Sequence, residues 1–74
     1  MTRENKYTRT FTILAENAKL LKNGMVTVEE CERMMNKEIQ SFIFCHPSDL
    51  DTRISYERRL QRKALNLMLS AIKD

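Results

Sequence analysis

Glycine and proline are almost absent from the sequence, with Gly24 and Pro47 as the only examples in 74 residues. A sheet of several short strands needs a turn about every ten residues, and turns depend on these two residue types. The chain therefore has few, long elements, which favours an all-α fold. A single glycine also excludes the glycine-rich loops that hold nucleotide phosphates.

Long apolar runs are missing as well. The longest wholly apolar stretch is Phe42 to Cys45, whereas a membrane-spanning helix needs about 20 residues. We therefore predict no membrane segment and no targeting sequence, and we expect a cytoplasmic protein. The two cysteines, Cys31 and Cys45, are too few for a disulfide framework, so both are expected to be buried thiols.

Histidine is equally scarce, which limits the chemistry available. His46, the single histidine, stands in a predicted turn beside Cys45, and adjacent side chains that point in different directions make a poor base and nucleophile pair. With Cys31 they give three ligands of the Cys and His type, where a structural zinc site needs four. We predict that the chain is not an enzyme and that it holds neither a metal ion nor a cofactor.

The remaining composition, 42% apolar and 31% charged, is that of a globular protein. A chain of this length forms one domain and buries only about 60% of the surface that it exposes when unfolded. Its core is thin, so a bound partner or a second copy can supply a real share of its stability.

The first predicted helix covers about residues 10–23, where apolar residues recur at helical spacing. Gly24 suits the left-handed position that follows a helix C-terminus. Ile13 and Leu20 lie on the side of this helix opposite its main apolar stripe. Residues 1–9 are predicted to be a flexible basic segment ahead of one helical domain, 10–74.

The second predicted helix covers residues 28–45 and begins at the clearest local signal in the chain. Thr27-Val28-Glu29-Glu30 has the pattern of a capping box, with Thr27 as N-cap and Glu30 three positions later. One continuous apolar arc follows, made by Val28, Cys31, Met34, Met35, Ile39, Phe42 and Ile43.

The third predicted helix covers about residues 49–73. His46-Pro47 ends the helix before it, and Ser48 or Asp49 is expected to cap the new one. Its apolar arc is about twice as wide as a surface helix needs, because it contains two adjacent stripes. The first stripe is Tyr56, Leu60, Ala64, Leu67 and Ala71. The second is Ile54, Leu65, Met68, Leu69 and Ile72.

Short connections between three helices predict a small antiparallel bundle with a long C-terminal helix. One neighbouring helix cannot cover both stripes of the third helix, and exposed apolar patches usually mark interfaces. A homodimer through the second stripe is the preferred way to bury the excess. The predicted partner-binding residues are Ile13, Leu20, Leu65, Leu69 and Ile72.

Charge is spread unevenly along the chain. Residues 1–26 carry +3, residues 27–47 carry −2 and residues 48–74 carry +2. The third helix contains like-charge pairs four residues apart, which an anionic partner would relieve, although a solvated polar face explains the same pattern. The predicted anion-binding or nucleic-acid-binding residues are Arg58, Arg59, Arg62 and Lys63.

A different structure for the N-terminus is also consistent with the sequence. Tyr7 to Ile13 alternates as Tyr-Thr-Arg-Thr-Phe-Thr-Ile, which is typical of a short strand. A strand followed by two helices resembles the ribbon-helix-helix DNA-binding proteins over residues 7–45. The resemblance implies that Arg9 or the threonines read the major groove. The short first helix and the extra third helix depart from that family.

Two main function hypotheses follow, and a structural component of a larger assembly is the third alternative. The first is a small regulatory or accessory protein, of the kind carried by mobile elements, that docks on a larger protein as adaptor or inhibitor through apolar anchors rimmed by arginines. The second is a nucleic-acid-binding regulator that uses the basic arc of the third helix or the N-terminal cations on phosphates. Those N-terminal cations are Arg3, Lys6 and Arg9.

Overall fold

The computed structural model describes residues 6–46 and 49–73, which form three α-helices. Helix α1 covers Thr8–Lys22, α2 covers Val28–Cys45, and α3, the longest, covers Leu50–Ile72. The predicted all-α three-helix bundle with a long C-terminal helix is confirmed. No helix within these ranges combines the length and the apolarity needed to cross a membrane.

Contacts between the helices fix their directions. Tyr7, just before α1, stacks on Phe42 near the end of α2, with ring centroids 5.2 Å apart. Gln40 Nε2 of α2 donates to Glu57 Oε2 of α3 at 3.4 Å, and Tyr7 also meets the edge of Tyr56 at 6.0 Å. Helix α2 is therefore antiparallel to both of its neighbours, and α1 runs parallel to α3.

The core takes one stripe from each helix. Leu14, Met35 and Leu60 are almost completely buried and represent α1, α2 and α3. Five members of the predicted arc of α2 are buried, whereas Val28, in its first turn, is 45% exposed. Helix α3 contributes mainly its first stripe, and Met68 of the second stripe also packs against the core. The core side chains are Tyr7, Leu14, Ala18, Cys31, Met35, Ile39, Phe42, Ile43, Leu60 and Ala64.

The connection between α1 and α2 has the helix-ending glycine and the capping box that the sequence predicts. Gly24 has φ +73°, and the N–H groups of Gly24 and Met25 donate to the carbonyls of Leu21 and Leu20 at 3.1 and 2.9 Å. These two bonds form a Schellman motif, which satisfies carbonyls at the end of α1. The predicted capping box is also present, because Thr27 and Glu30 exchange two hydrogen bonds of 3.1 Å.

The N-terminus differs from both predictions made for it. Helix α1 begins at Thr8, two residues earlier than expected, and the alternative strand over Tyr7 to Ile13 is wrong. Tyr7 and Phe11 lie about one helical turn apart, and their rings stack at 5.5 Å. In a strand the same two residues would be about 13 Å apart and could not stack. The structure therefore lacks, over Tyr7 to Ile13, the strand on which the resemblance to ribbon-helix-helix proteins depends. Residues 1–5 of the predicted flexible segment, Arg3 included, lie outside the described residues.

Helix α3 is capped by Asp49, whose Oδ1 accepts from the Thr52 N–H at 2.9 Å, while the other predicted cap, Ser48, lies outside the described residues. Hydrogen bonds from the Thr52 side chain and backbone lower the pKa of Asp49. The backbone N–H and side chain of Thr27 lower the pKa of Glu30 in the same way. Both carboxylates therefore stabilise the fold in their charged form.

A pH titration of stability tests these caps. Because folding lowers both pKa values, the stabilisation is complete well above the unfolded values of about 4 and is lost as the pH falls through the folded ones. We expect thermal unfolding, followed by circular dichroism, to show a falling midpoint below about pH 5. Glu30→Gln with Asp49→Asn should flatten this dependence. Glu16→Gln changes an exposed carboxyl that is not a helix cap, so this control should show the same pH dependence as the wild type. If the wild type and both variants show parallel profiles, the caps do not cause the pH dependence of stability.

Candidate docking groove and basic seam

The structure separates the five predicted partner-binding residues into two groups. Leu65, Leu69 and Ile72 lie together on α3 and are 53%, 56% and 55% exposed. Ile13 and Leu20 lie on the side of α1 that faces α2, since the carbonyl of Asn17, between them in sequence, accepts a hydrogen bond from Cys31 Sγ. Ile13 is half-buried there and Leu20 is 38% exposed. Only the α3 group forms an exposed stripe.

A groove of about 530 Å³ runs between α2 and α3 beside this stripe. Its floor is core, because Met35, Ile39 and Ala64 are buried. Leu65 and the half-buried Met68 stand on its α3 side, so the exposed stripe begins at the groove wall. The other lining residues are Glu29, Glu32, Arg33, Asn36 and Gln61.

The walls of the groove differ in charge. The α2 wall contains Glu29 and Glu32 together with one cation, Arg33. On α3, Arg58 lies seven residues before Leu65 and Arg62 seven residues before Leu69, and side chains seven apart share a helix face. The exposed apolar stripe therefore has carboxylates across the groove from it and two arginines on its own helix.

The other two basic residues predicted on α3 face α1 instead. Arg59 Cζ lies 5.2 Å from the centroid of the Tyr7 ring, and Lys63 Nζ lies 5.4 Å from that of Phe11. The four basic residues predicted as one site therefore belong to two sides of the bundle. Arg58 and Arg62 accompany the apolar stripe, while Arg59 and Lys63 stand over the junction of α1 and α3.

An aromatic cluster closes the end of the bundle where α1 and α3 begin, and the sequence alone did not indicate it. The Phe42 ring contacts Tyr7, His46 and Tyr56, at centroid distances of 5.2, 4.1 and 5.5 Å. Lys6 Nζ donates to the Tyr56 hydroxyl at 2.8 Å, which raises the pKa of this lysine. The cluster was missed because Tyr7 falls in the segment predicted to be flexible.

The two cysteines of α2 differ in their exposure to solvent. Cys31 is buried, and burial raises the pKa of its thiol, whereas Cys45 is exposed, contrary to the prediction that both are buried. Cys45 lies beyond the contact of Tyr7 with Phe42, so α1 does not cover it. The two thiols are about 21 Å apart along α2.

His46 Nδ1 lies 2.9 Å from the Phe42 carbonyl. Among residues 6–46 and 49–73, no three His, Cys, Asp or Glu side chains are placed to hold a metal ion.

A second apolar patch lies at the connection between α2 and α3. Phe44 is 86% exposed and Leu50 70% exposed. The hydrogen bond between Gln40 and Glu57 sets an antiparallel register in which the next turn of α2, with Phe44, lies level with the turn of α3 that carries Ile54. Phe44 falls outside the predicted arc of α2, which was the only sequence signal that it is exposed.

No known protein family, characterised protein or solved structure gives a detectable match to this chain. Its function must therefore be argued from its own surfaces.

Proposed function

We propose that this chain is a small non-catalytic regulatory or accessory protein of the cytoplasm, which docks on a helix of a larger protein as adaptor or inhibitor. One observation carries the proposal. Three large apolar side chains of α3, Leu65, Leu69 and Ile72, are each more than half exposed beside a groove whose floor is the core. We call these three residues the docking stripe.

The docking stripe has the spacing of a helix-binding surface. Its members stand at positions i, i+4 and i+7 of α3, so they form a ridge along one helix face. A ridge beside a groove is the geometry against which a second amphipathic helix packs. Removing a leucine or isoleucine side chain from water contributes about 1.5–3 kcal/mol when burial is complete. The remaining exposed area of the stripe is thus a substantial source of binding free energy.

Charges around the stripe define the partner helix more closely. A partner packed in the groove passes two glutamates and one arginine of α2 on one side, which gives that wall a net negative charge, and two arginines near the stripe on the other. The α2 residues are Glu29, Glu32 and Arg33, and the α3 arginines are Arg58 and Arg62. Its apolar face should therefore have basic residues along one edge and acidic residues along the other. Charge complementarity of this kind fixes orientation and speeds association more than it adds affinity.

A second copy of the chain is the competing occupant. The docking stripe extends for only about 10 Å along α3. Two such stripes related by a two-fold axis bury little compared with the roughly 800 Å² per partner of a standard stable interface. A larger protein can supply a longer helix that fills the groove and also covers the stripe, and for this reason we favour it over the homodimer.

Site-specific photo-cross-linking tests the proposal. A photoreactive amino acid replaces Leu69 in one sample and Lys37, on the exposed outer side of α2, in the control. Both proteins are incubated with nuclease-treated lysate of the source cells, and the products are identified by mass spectrometry. We expect one protein larger than this chain to be cross-linked from position 69 and not from position 37, and the purified partner to bind again.

Two results would contradict it. A product of twice the 8.8 kDa chain mass from position 69 would identify a second copy as the occupant. Equal labelling from both positions, or no product at all, would show that the stripe binds no specific protein under these conditions.

A further inference from the structure

Cationic side chains of two helices meet along the junction of α1 and α3. At one end, Lys6 contacts Tyr56, Arg59 stands over Tyr7, and Lys63 stands over Phe11. Because α1 and α3 run parallel, this junction continues in register toward their C-termini. There, the face of α1 that contains Phe11 goes on through Ala15 to Lys19 and Lys22. We define the basic seam as Lys6, Lys19, Lys22, Arg59 and Lys63.

Three of these cations are held in place by aromatic rings. Lys6 Nζ lies 4.6 Å from the Tyr56 centroid as well as 2.8 Å from its hydroxyl, and Arg59 and Lys63 lie 5.2 and 5.4 Å from their rings. Cation–π contacts of this kind are attractive while the charged group still faces solvent. These three charges of the seam are therefore positioned before any ligand arrives.

Carboxylates lie mainly on other sides of the bundle. Four of the six described glutamates, Glu29, Glu30, Glu32 and Glu38, belong to α2, and Glu57 of α3 accepts a hydrogen bond from Gln40 of α2. The sixth, Glu16, lies on α1 one turn before Lys19. The seam joins cations of the two basic segments, whereas most of the described glutamates belong to α2.

The aromatic rings at the seam are not free to stack on bases. Tyr7 is 8% exposed, Phe11 is half-buried beneath Lys63, and the half-buried Tyr56 lies beneath Lys6. Proteins that grip single strands combine cations with accessible rings for base stacking, whereas contacts to a duplex backbone need cations and polar groups alone. From Lys6 to Lys22 the seam is about 24 Å long, which matches about seven base pairs of duplex.

We propose that the basic seam binds the phosphate backbone of a nucleic-acid duplex without reading its sequence. This function is separate from the protein docking proposed above. The docking stripe and the seam lie on different sides of α3, so both can be occupied together. An adaptor with both surfaces would bring its protein partner to nucleic acid.

Binding of the wild-type protein to a fluorescent mixed-sequence DNA duplex, followed by anisotropy across a salt series, tests the proposal. The logarithm of affinity should fall with the logarithm of salt concentration with a slope of about −4, which corresponds to four or five phosphates contacted. Lys19→Gln with Lys63→Gln should lower affinity at least about tenfold at low salt and reduce the slope by about 2.

A matched control separates the seam from net charge. Arg33→Gln with Lys37→Gln, on α2, also lowers the net charge from +3 to +1 and should change affinity less than about threefold. Circular dichroism checks that each variant is folded. The proposal fails if both double variants lose affinity equally, if the wild type binds no duplex at low salt, if single strands bind more tightly, or if polyglutamate displaces the protein as well as unlabelled DNA does.

Discussion

Phe42→Ala is expected to lower the free energy of unfolding by about 3–5 kcal/mol, whereas Phe44→Ala should change it by less than about 0.5 kcal/mol. The two substitutions delete the same ring, two residues apart on one helix. Phe42 is 4% exposed and Phe44 is 86% exposed. The intrinsic helix preference gained with alanine is the same at both positions, so the difference between the variants reports packing alone.

The large cost at Phe42 has two sources. Its ring lies between Tyr7 and His46, at 5.2 and 4.1 Å, and faces the edge of Tyr56 at 5.5 Å. Deletion removes these contacts and leaves a cavity that the ends of three helices cannot fill without moving. A 74-residue domain has a total stability of about 4–11 kcal/mol, so this variant should lose a large share of it.

Urea unfolding followed by circular dichroism measures both effects. The Phe44→Ala midpoint should coincide with that of the wild type, and the Phe42→Ala midpoint should be far lower or absent. A similar, small loss for both variants would mean that the rings around Phe42 are not packed in solution as they are in the structure.

Leu65→Asp with Leu69→Asp is expected to abolish binding of the partner while the protein stays folded. Both leucines are more than half exposed, so the cost to folding is mainly the poorer helix preference of aspartate, about 1 kcal/mol for the pair. In a complex the same carboxylates would lie in an apolar interface without partners. We expect affinity for the partner identified by cross-linking to fall at least about 100-fold, as measured by isothermal titration calorimetry.

Ser55→Asp with Asn66→Asp provides the control. These exposed positions lie on the polar side of α3, away from the groove, and the change in net charge is the same. The control should bind like the wild type. If the leucine variant unfolds, these leucines belong to the core and the docking surface is lost. If it binds normally, the partner contacts another face.

Elements marked by local chemistry were predictable from the sequence. The range of α2, Val28–Cys45, agrees at both ends with the prediction, because the Thr27 capping box begins the helix and the sequence signals its end with a proline two residues further on. The glycine at the end of α1 is equally local. The start of α1 was not predictable in this way, because Tyr7 is held by Phe42, which lies far along the chain.

The candidate surfaces were predictable only in part. The width of the apolar arc of α3 indicated that Leu65, Leu69 and Ile72 exceed what one neighbour covers, and all three are exposed. Sequence spacing could not show that Ile13 and Leu20 face a different junction, or that Arg59 turns toward α1. Which side of a helix meets which neighbour depends on the handedness of the bundle, and periodicity along the chain carries no information on that.

The backbone at the start of α1 adds to the electrostatic potential that the side chains of the seam create. Helix α1 has no acidic residue in its first turn and no side-chain cap, whereas α3 begins with the carboxylate of Asp49. The aligned peptide dipoles of a helix amount to about half a positive charge at its N-terminus. At α1 this partial charge lies next to Lys6. The N-terminus of α1 therefore adds positive potential at the Lys6 end of the seam, while the C-terminus of α2, which lies at the same end of the bundle, offsets part of it.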